Sequence, residues 1–401
     1  MKILVVHNHY RQRGGEDSVF ETERDMLRAA GHEVLTYERD NGFDERRGRL
    51  ALAAKAVWNW TTYREIRELL RRERPDAVHC HNVFPVVSPS VYWAAAAEGV
   101  PVVQTLHNFR LCCLNGYFFR DGAVCRRCLG RPPLAGVAKR CYRGSLAASA
   151  VAAFSLLVHR ALGTYRRKVS RYVALTEFAR EQFAAAGLPP GKIAVKPNAV
   201  APAAVAGPAA GAAETGGAPV SFLYLGRISE EKGPAALVEA WRLLCGRQDS
   251  PVPGKARLVM AGDGPLREEL QRKASGLPGV TFLGLVPRGE VPSVIEAASA
   301  LVMPSLWFEQ FAISPIEAMQ RGKPVIVSRT AVHSTLVEDG VTGAVFDERD
   351  PGALADVLQS FAENPAKLAE LGARAKESLR ASEVEPGRNL GKLLEIYRGL
   401  A

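Results

Sequence analysis

The chain has 401 residues, 47% apolar and 23% charged, with a net charge of +10 and seven cysteines. That length exceeds one ordinary core and suits two domains, and the composition excludes a globally disordered or fibrous chain. The opening apolar run, ILVV, is too short for a secretory leader, and an odd cysteine count argues against a disulfide framework, so a cytoplasmic, reducing setting is expected.

The elements alternate along the chain. KILVV reads as a strand, RGGEDS as a glycine turn, and Val19 to Ala30 as a helix closed by Gly31. Strands follow at DAVHCH (76–81), VPVVQTLH (100–107) and RYVALT (171–176), with helices at Pro89–Ala97 and FAREQFAAAG. LAASAVAAFSLLV (146–158) falls short of a membrane span and reads as a buried helix. The stretch AVAPAAVAGPAAGAAETGGA is almost entirely Ala, Gly and Pro and predicts a linker. A second series then begins, with strands VSFLYLG, ARLVMAG, VTFLG, ALVMP and PVIVS separated by helical stretches. Strands alternating with helices predict two doubly wound parallel sheets, with ligands at the carboxyl ends of the strands in a cleft between them. The expected division is 1–198 as a first domain with a Cys-rich insertion at 112–145, a linker at 199–219, a second domain at 220–375, and a helix at 376–401 returning to the first domain.

Charge is uneven: residues 1–200 carry 31 Lys and Arg against 18 Asp and Glu, and residues 201–401 carry 21 against 24. The runs REIRELLRRERP (64–75) and YRRKVSRY (165–172) read first as solvated helix faces and second as attraction to an anionic membrane or a phosphorylated acceptor. No recognised module points to nucleic acid.

Several motifs carry chemistry. In GRISEEKG, Arg227 and Lys232 stand five apart on a turn that opens a helix, where cations and free amides together suit a diphosphate. In WFEQFAISPIEAM, Ser314 and Glu317 fit a capping box, whereas Glu309 lies outside any cap and, if buried, needs donors such as sugar hydroxyls. The amides of Phe311, Ala312 and Ile313 would face an anion at the helix mouth. In the insertion, Cys125 and Cys128 form a C-x2-C pair flanked by Cys113 (or Cys112) and Cys141, a set suited to a structural zinc, with unligated thiols and a redox disulfide as the other readings. Trp58, Trp60 and Tyr63 read as helix packing before an acceptor or membrane patch, and Cys80 and Cys245 as core.

Taken in order, GR-x4-KG (226–233), AGDGPL (261–266), E-x7-E (309–317), RGKPVIVS (321–328) and EDGVTGAVF (338–346) resemble family 4 of the retaining, nucleotide-sugar-dependent glycosyltransferases with the GT-B fold. HNHYRQRGGEDS (7–18), HCHN (79–82), TLHN (105–108) and KPNAV (196–200) extend the resemblance over nearly the whole chain. The resemblance implies that Arg227 and Lys232, with Gly226, hold the donor diphosphate and stabilise its charge as it leaves. It implies that Glu309 binds the donor sugar and Glu317 the ribose, that Gly14 and Gly15 admit phosphates or acceptor, and that His107 lines the cleft beside the sugar. It also implies front-face attack with retention and no catalytic cofactor, ahead of a double displacement through Glu309. The partners implied are a nucleoside diphosphate sugar and an acceptor glycan, soluble or lipid-linked at the inner membrane face; a GT-B epimerase and a non-catalytic nucleotide-sugar binder are the alternatives. Gln310, Ala312 and Asn108 depart from the family pattern, as does TAVHS (330–334), and bear on donor identity.

Overall fold

The computed structural model describes residues 1–10, 14–40, 48–201, 218–252, 254–331 and 335–400. The chain divides into two compact units: Met1–Phe118 with Cys125–Ala199 and Pro386–Ala401, and Phe119–Val124 with Val200–Glu385. Most of the expected linker, and Val332, His333 and Ser334 of TAVHS, lie outside the described residues.

The first unit is built on a six-stranded parallel sheet of β1 (Lys2–His9), β2 (Glu33–Asp40), β3 (Ala77–Cys80), β4 (Val102–Thr105), β7 (Arg171–Ala174) and β8 (Ile193–Val195), in the order 2-1-3-4-7-8. The pair β5 (Phe119–Arg120) and β6 (Ala123–Val124) forms a separate antiparallel hairpin that belongs to the second unit. Strand β1 is buried from Ile3 to Asn8, as a central parallel strand covered on both faces must be. Its helices are α1 (Gly15–Ala29), α2 (Arg49–Val57), α3 (Trp60–Glu73), α4 (Ser90–Ala97), α5 (Leu134–Ala138), α6 (Leu146–Ala161) and α7 (Glu177–Ala185).

The second unit repeats the plan with β9 (Val220–Leu225), β10 (Ala256–Ala261), β11 (Val280–Gly284), β12 (Ala300–Met303), β13 (Val325–Ser328) and β14 (Gly343–Phe346), in the order 11-10-9-12-13-14. Side chains of β9 alternate between two cores, Phe222 and Tyr224 on one face and Leu223 on the other. Around them lie α8 (Pro234–Cys245), α9 (Arg267–Lys273), α10 (Val291–Glu296), α11 (Ile313–Gln320), α12 (Pro351–Glu363) and α13 (Pro365–Ala381).

The return to the first unit begins at Pro386, not at 376. Leu368, Leu371, Ala375 and Leu379 of α13 are buried in the second unit's cores, and only α14 (Pro386–Arg398) joins the first, where Leu393, Ile396 and Tyr397 pack with Ile3, Val5, Phe20 and Val103. The apolar helix α6 is not wholly buried, since Leu146 and Phe154 are exposed. Much of the basic run on α3 is paired: Arg67 and Arg71 share Glu98, and Arg72 meets Glu73. Trp58 packs on Tyr63 and Trp93, whereas Trp60 is exposed. Cys80 is buried and Cys245 half-buried. Among the described residues no helix is long and apolar enough to cross a membrane.

Candidate functional site

In the second unit the turn after β9 is held by two close backbone approaches. Gly233, at φ +66°, lies so near the Pro304 carbonyl that a Cβ would sit 1.9 Å from its oxygen, and a Cβ on Gly262 would sit 1.8 Å from the Gly226 oxygen. Only glycine permits either contact, so the GR-x4-KG and AGDGPL motifs are two halves of one packed corner. Lys232 Nζ reaches Glu309 Oε1 at 2.9 Å, and Ser305 Oγ donates to the same oxygen at 2.5 Å. The ammonium also lies 5.4 Å from the centre of the Trp307 ring. Arg227 is half exposed and pairs with Glu231, whose other donor is Ser229 Oγ at 2.7 Å. Lys232 and Glu309 thus meet directly, with Arg227 on the same turn.

The loop leading into α11 corrects one sequence expectation. The N-cap is Ala312, no side chain caps that end, and Ser314 already lies inside the helix, so Ser314 and Glu317 do not form a capping box. The N-cap Ala312 thus offers the amides opening α11 no side-chain acceptor, and Glu317 loses its structural explanation. Its carboxyl is half-buried, and burial raises its pKa against the lowering influence of Arg321 and Arg288.

Sequence reasoning missed Gln310 as more than a departure from glycine. Its side chain is 5% exposed, yet neither Oε1 nor Nε2 has a hydrogen-bond partner. A buried carboxamide unsatisfied at both ends is costly, and it is placed next to Glu309. The polar residue within an apolar stretch was the available signal.

In the first unit the strand ends gather histidines. Asp17, at the third position of α1, accepts from the Gly14 amide at 2.8 Å and lies 3.0 Å from His7 Nε2 and 2.8 Å from His9 Nδ1. The second nitrogen of His9 lies 2.8 Å from Glu38. Gly14 has open space where a Cβ would be, and Gly15 opens α1. Asn108 donates to Glu16 at 2.9 Å, tying the TLHN turn to the glycine loop. His107 and His81 meet at 3.0 Å and, with Asn82, Asn108 and Arg110, line a cavity of about 80 Å³.

Burial would raise the pKa of Asp17, but hydrogen bonds from His7, Gly14 and His9 prevail and lower it to about 2. Burial would lower that of His9, and its bonds to Glu38 and Asp17 raise it instead. The depressed Asp17 contributes stability that is present above its unfolded pKa and lost as pH falls towards 2; that of His9 is present below its unfolded pKa and lost as pH rises through the raised value. Chemical denaturation from pH 5 down to pH 2 should show Asp17→Asn losing less stability than the parent, by about 2 kcal/mol.

Among the described residues, two groups bring ligand atoms within 4.8 Å of one another: His7, His9 and Asp17, and Glu23, His79 and His81. In the first, both imidazoles share one Asp17 oxygen at hydrogen-bond distance, and in the second the Lys196 ammonium already lies 2.6 Å from Glu23. Cys113, Cys125, Cys128 and Cys141 do not form such a group. Cys128 and Cys141 lie about α5, with Cys128 Sγ 3.4 Å from the Cβ position of Gly136 and Cys141 packed with Val137 beside Leu114.

Residues 14–199 match the family described as Glycosyl transferase 4-like domain, and residues 214–378 match Glycosyl transferases group 1. The chain belongs to the group 1 glycosyltransferases. It is similar, at 32% identity over 161 residues, to the GDP-mannose-dependent alpha-(1-6)-phosphatidylinositol dimannoside mannosyltransferase of Mycobacterium tuberculosis, and at 31% over 179 residues to the alpha-D-kanosaminyltransferase of Streptomyces kanamyceticus. The matches span 40% and 45% of those relatives, and 40% and 44% of this chain. Two solved structures share the GT-B fold over the whole chain: Anabaena HepE in complex with UDP and glucose (TM-score 0.67, 18% identity, 100% of each chain) and sucrose-phosphate synthase from Thermosynechococcus elongatus (TM-score 0.71, 18% identity, 100% and 98%). In this group 1 glycosyltransferase, the corner of Gly226, Arg227, Lys232 and Glu309 brings two cations to a buried carboxylate.

Proposed function

We propose that this glycosyltransferase moves a sugar from a nucleoside diphosphate sugar to an acceptor hydroxyl with retention of anomeric configuration. The observation that carries the reading is the buried Glu309, bonded to Lys232 and Ser305, beside a Gln310 whose carboxamide is unsatisfied at both ends. Sugar hydroxyls both donate and accept, so they would satisfy what the protein leaves unpaired. Arg227, Lys232 and the amides of Phe311, Ala312 and Ile313 would take the diphosphate, Glu317 the ribose, and His107 and the Gly14–Gly15 turn the acceptor side. As the bond from sugar to phosphate breaks, charge grows on the leaving oxygen, and Arg227 and Lys232 are the groups to neutralise it. The acceptor hydroxyl would attack the same face, its proton passing to the departing diphosphate; no added cofactor is needed. Glu309, bonded on Oε1 by an ammonium and a hydroxyl, suits sugar binding better than nucleophilic attack. The name of one relative, which acts on a phosphatidylinositol dimannoside, supports a glycan acceptor, soluble or lipid-linked.

Thermal-shift measurement with UDP, GDP, ADP and TDP tests the donor half. One nucleotide should stabilise, by RT ln(1 + [L]/Kd), about 2.7 kcal/mol at one hundred times Kd. Its sugar conjugates should then release nucleotide on addition of acceptor glycans, and stabilisation by none of the four would overturn the reading.

Residues 112–145 carry a second proposal, a structural zinc held by Cys113, Cys125, Cys128 and Cys141. Four of the six described non-glycine residues with positive φ, Phe118, Asp121, Arg140 and Arg143, fall in this stretch, whose regular elements are the β5–β6 hairpin and the short helix α5. A stretch with so many positive φ angles and so little regular structure is the kind that metal staples hold, and zinc binding would have to draw the four thiols together. Metal analysis of reduced protein should find near-stoichiometric zinc, lost in Cys125→Ser/Cys128→Ser; folded, active, metal-free protein would end the idea.

A further inference from the structure

Lys196 and Glu23 form a buried ion pair at 2.6 Å, with side chains 2% and 3% exposed. Such a pair is a poor way to stabilise a core, since two apolar side chains of similar volume do as well or better. Its placement is more informative than its strength. The other Glu23 oxygen, Oε2, lies 3.5 Å from His81 Nε2, and His81 Nδ1 lies 3.0 Å from His107 Nε2, with the two imidazoles stacked at 5.2 Å. Lys196 is anchored in turn, donating to the Pro197 carbonyl at 3.0 Å, which also accepts from Asn389 of α14 at 3.0 Å. The neighbouring His79 is engaged separately, 2.6 Å from the Tyr397 hydroxyl and 2.8 Å from Thr105 Oγ1.

We propose that the Glu23–Lys196 pair is a positioning device that acts through His81 to hold His107 in a single tautomer, with its proton on Nε2 and its Nδ1 lone pair kept as the acceptor for a substrate hydroxyl. The order of protons follows from the chain of contacts. Glu23 Oε2 and His81 Nε2 are not hydrogen-bonded, and it is the negative field of the carboxylate at 3.5 Å that favours the proton on the His81 nitrogen facing it. Each imidazole is neutral, since burial pushes both well below the usual histidine range, and so His81 Nδ1 is bare. The His107 nitrogen beside it must then donate, which leaves Nδ1 unprotonated. An apolar pair in place of Glu23 and Lys196 would leave both imidazoles free to exchange tautomers, and part of the His107 population would present an N–H where a hydroxyl must donate.

The inference rests on the proposed sugar transfer for its consequence but not for its existence. Long-range proton–nitrogen spectra of histidine-labelled protein should show His107 with a pyrrole-like Nε2 and a pyridine-like Nδ1. In Glu23→Leu/Lys196→Met the His107 nitrogens should move to averaged values, with melting temperature kept or raised. Nucleotide-induced stabilisation should be unchanged, and turnover should fall about tenfold in kcat rather than in donor KM, the worth of one hydrogen bond. Glu23→Gln/Lys196→Met, whose amide oxygen can accept from His81, should restore the spectrum and most of the turnover. Should the Leu/Met pair fail to fold, His81→Phe removes the acceptor while sparing the ion pair, and the same loss of a single tautomer is expected. An unchanged His107 spectrum in the variants that break the relay overturns the proposal, whatever happens to turnover. If the protein transfers no sugar at all, the spectrum alone still decides between the relay and a merely structural pair.

Discussion

Glu309→Ala should lower sugar transfer by about 10²- to 10³-fold, the usual cost of removing one preorganised polar group at a reacting centre, while leaving the fold intact. The carboxylate is 5% exposed and accepts from Lys232 and Ser305. Once it is gone, the Lys232 ammonium, whose side chain is 28% exposed, can turn to water, and Ser305 Oγ loses only one bond. Melting curves should therefore nearly coincide with the parent's while initial rates separate. Wild-type turnover in Glu309→Ala would remove the residue from the site. Glu317→Ala carries no stability penalty on this reading, because Glu317 caps nothing and its ionised form is disfavoured by burial. Its effect should fall on donor KM.

Lys232→Met should be damaging twice over. Transfer should fall by a similar 10²- to 10³-fold, since the cation facing the departing diphosphate is lost. Stability should fall as well, by about 1–3 kcal/mol, because a buried carboxylate is left without its cation. The asymmetry between the two partners is the diagnostic part. Combining Lys232→Met with Glu309→Ala should recover the lost stability and none of the activity, measured by chemical denaturation and by nucleotide release. A double variant as unstable as Lys232→Met alone would mean that Lys232 supports the corner by some means other than Glu309.

The alternation of strands and helices was legible because parallel strands covered on both faces read as short apolar runs; VSFLYL and ALVM could be little else. Strand β2 was not, since EVLTYERD is half polar at the sheet's edge, and neither was the three-residue β8. The corner of Arg227, Lys232 and Glu309 was readable from spacing and family pattern together. The capping box was misread, because S-P-I-E satisfies the pattern while the chain enters the helix two residues earlier, at Ala312. What sequence could not offer were pairings that depend on tertiary contact. Glu23 looks like any polar position on an amphipathic helix, and Lys196 like a basic residue before a proline. Their meeting across 173 positions is visible only in the fold.

The same long reach governs how the protein comes to be made. Strand β1 leaves the ribosome well before part of its cover, Leu393, Ile396 and Tyr397 of α14. The first unit therefore waits, with an apolar face uncovered, through the synthesis of the whole second unit. Nascent chains halted near residue 200 should bind chaperones and resist purification as a folded fragment, and a split of the gene between the units would need the last helix grafted back onto the first half.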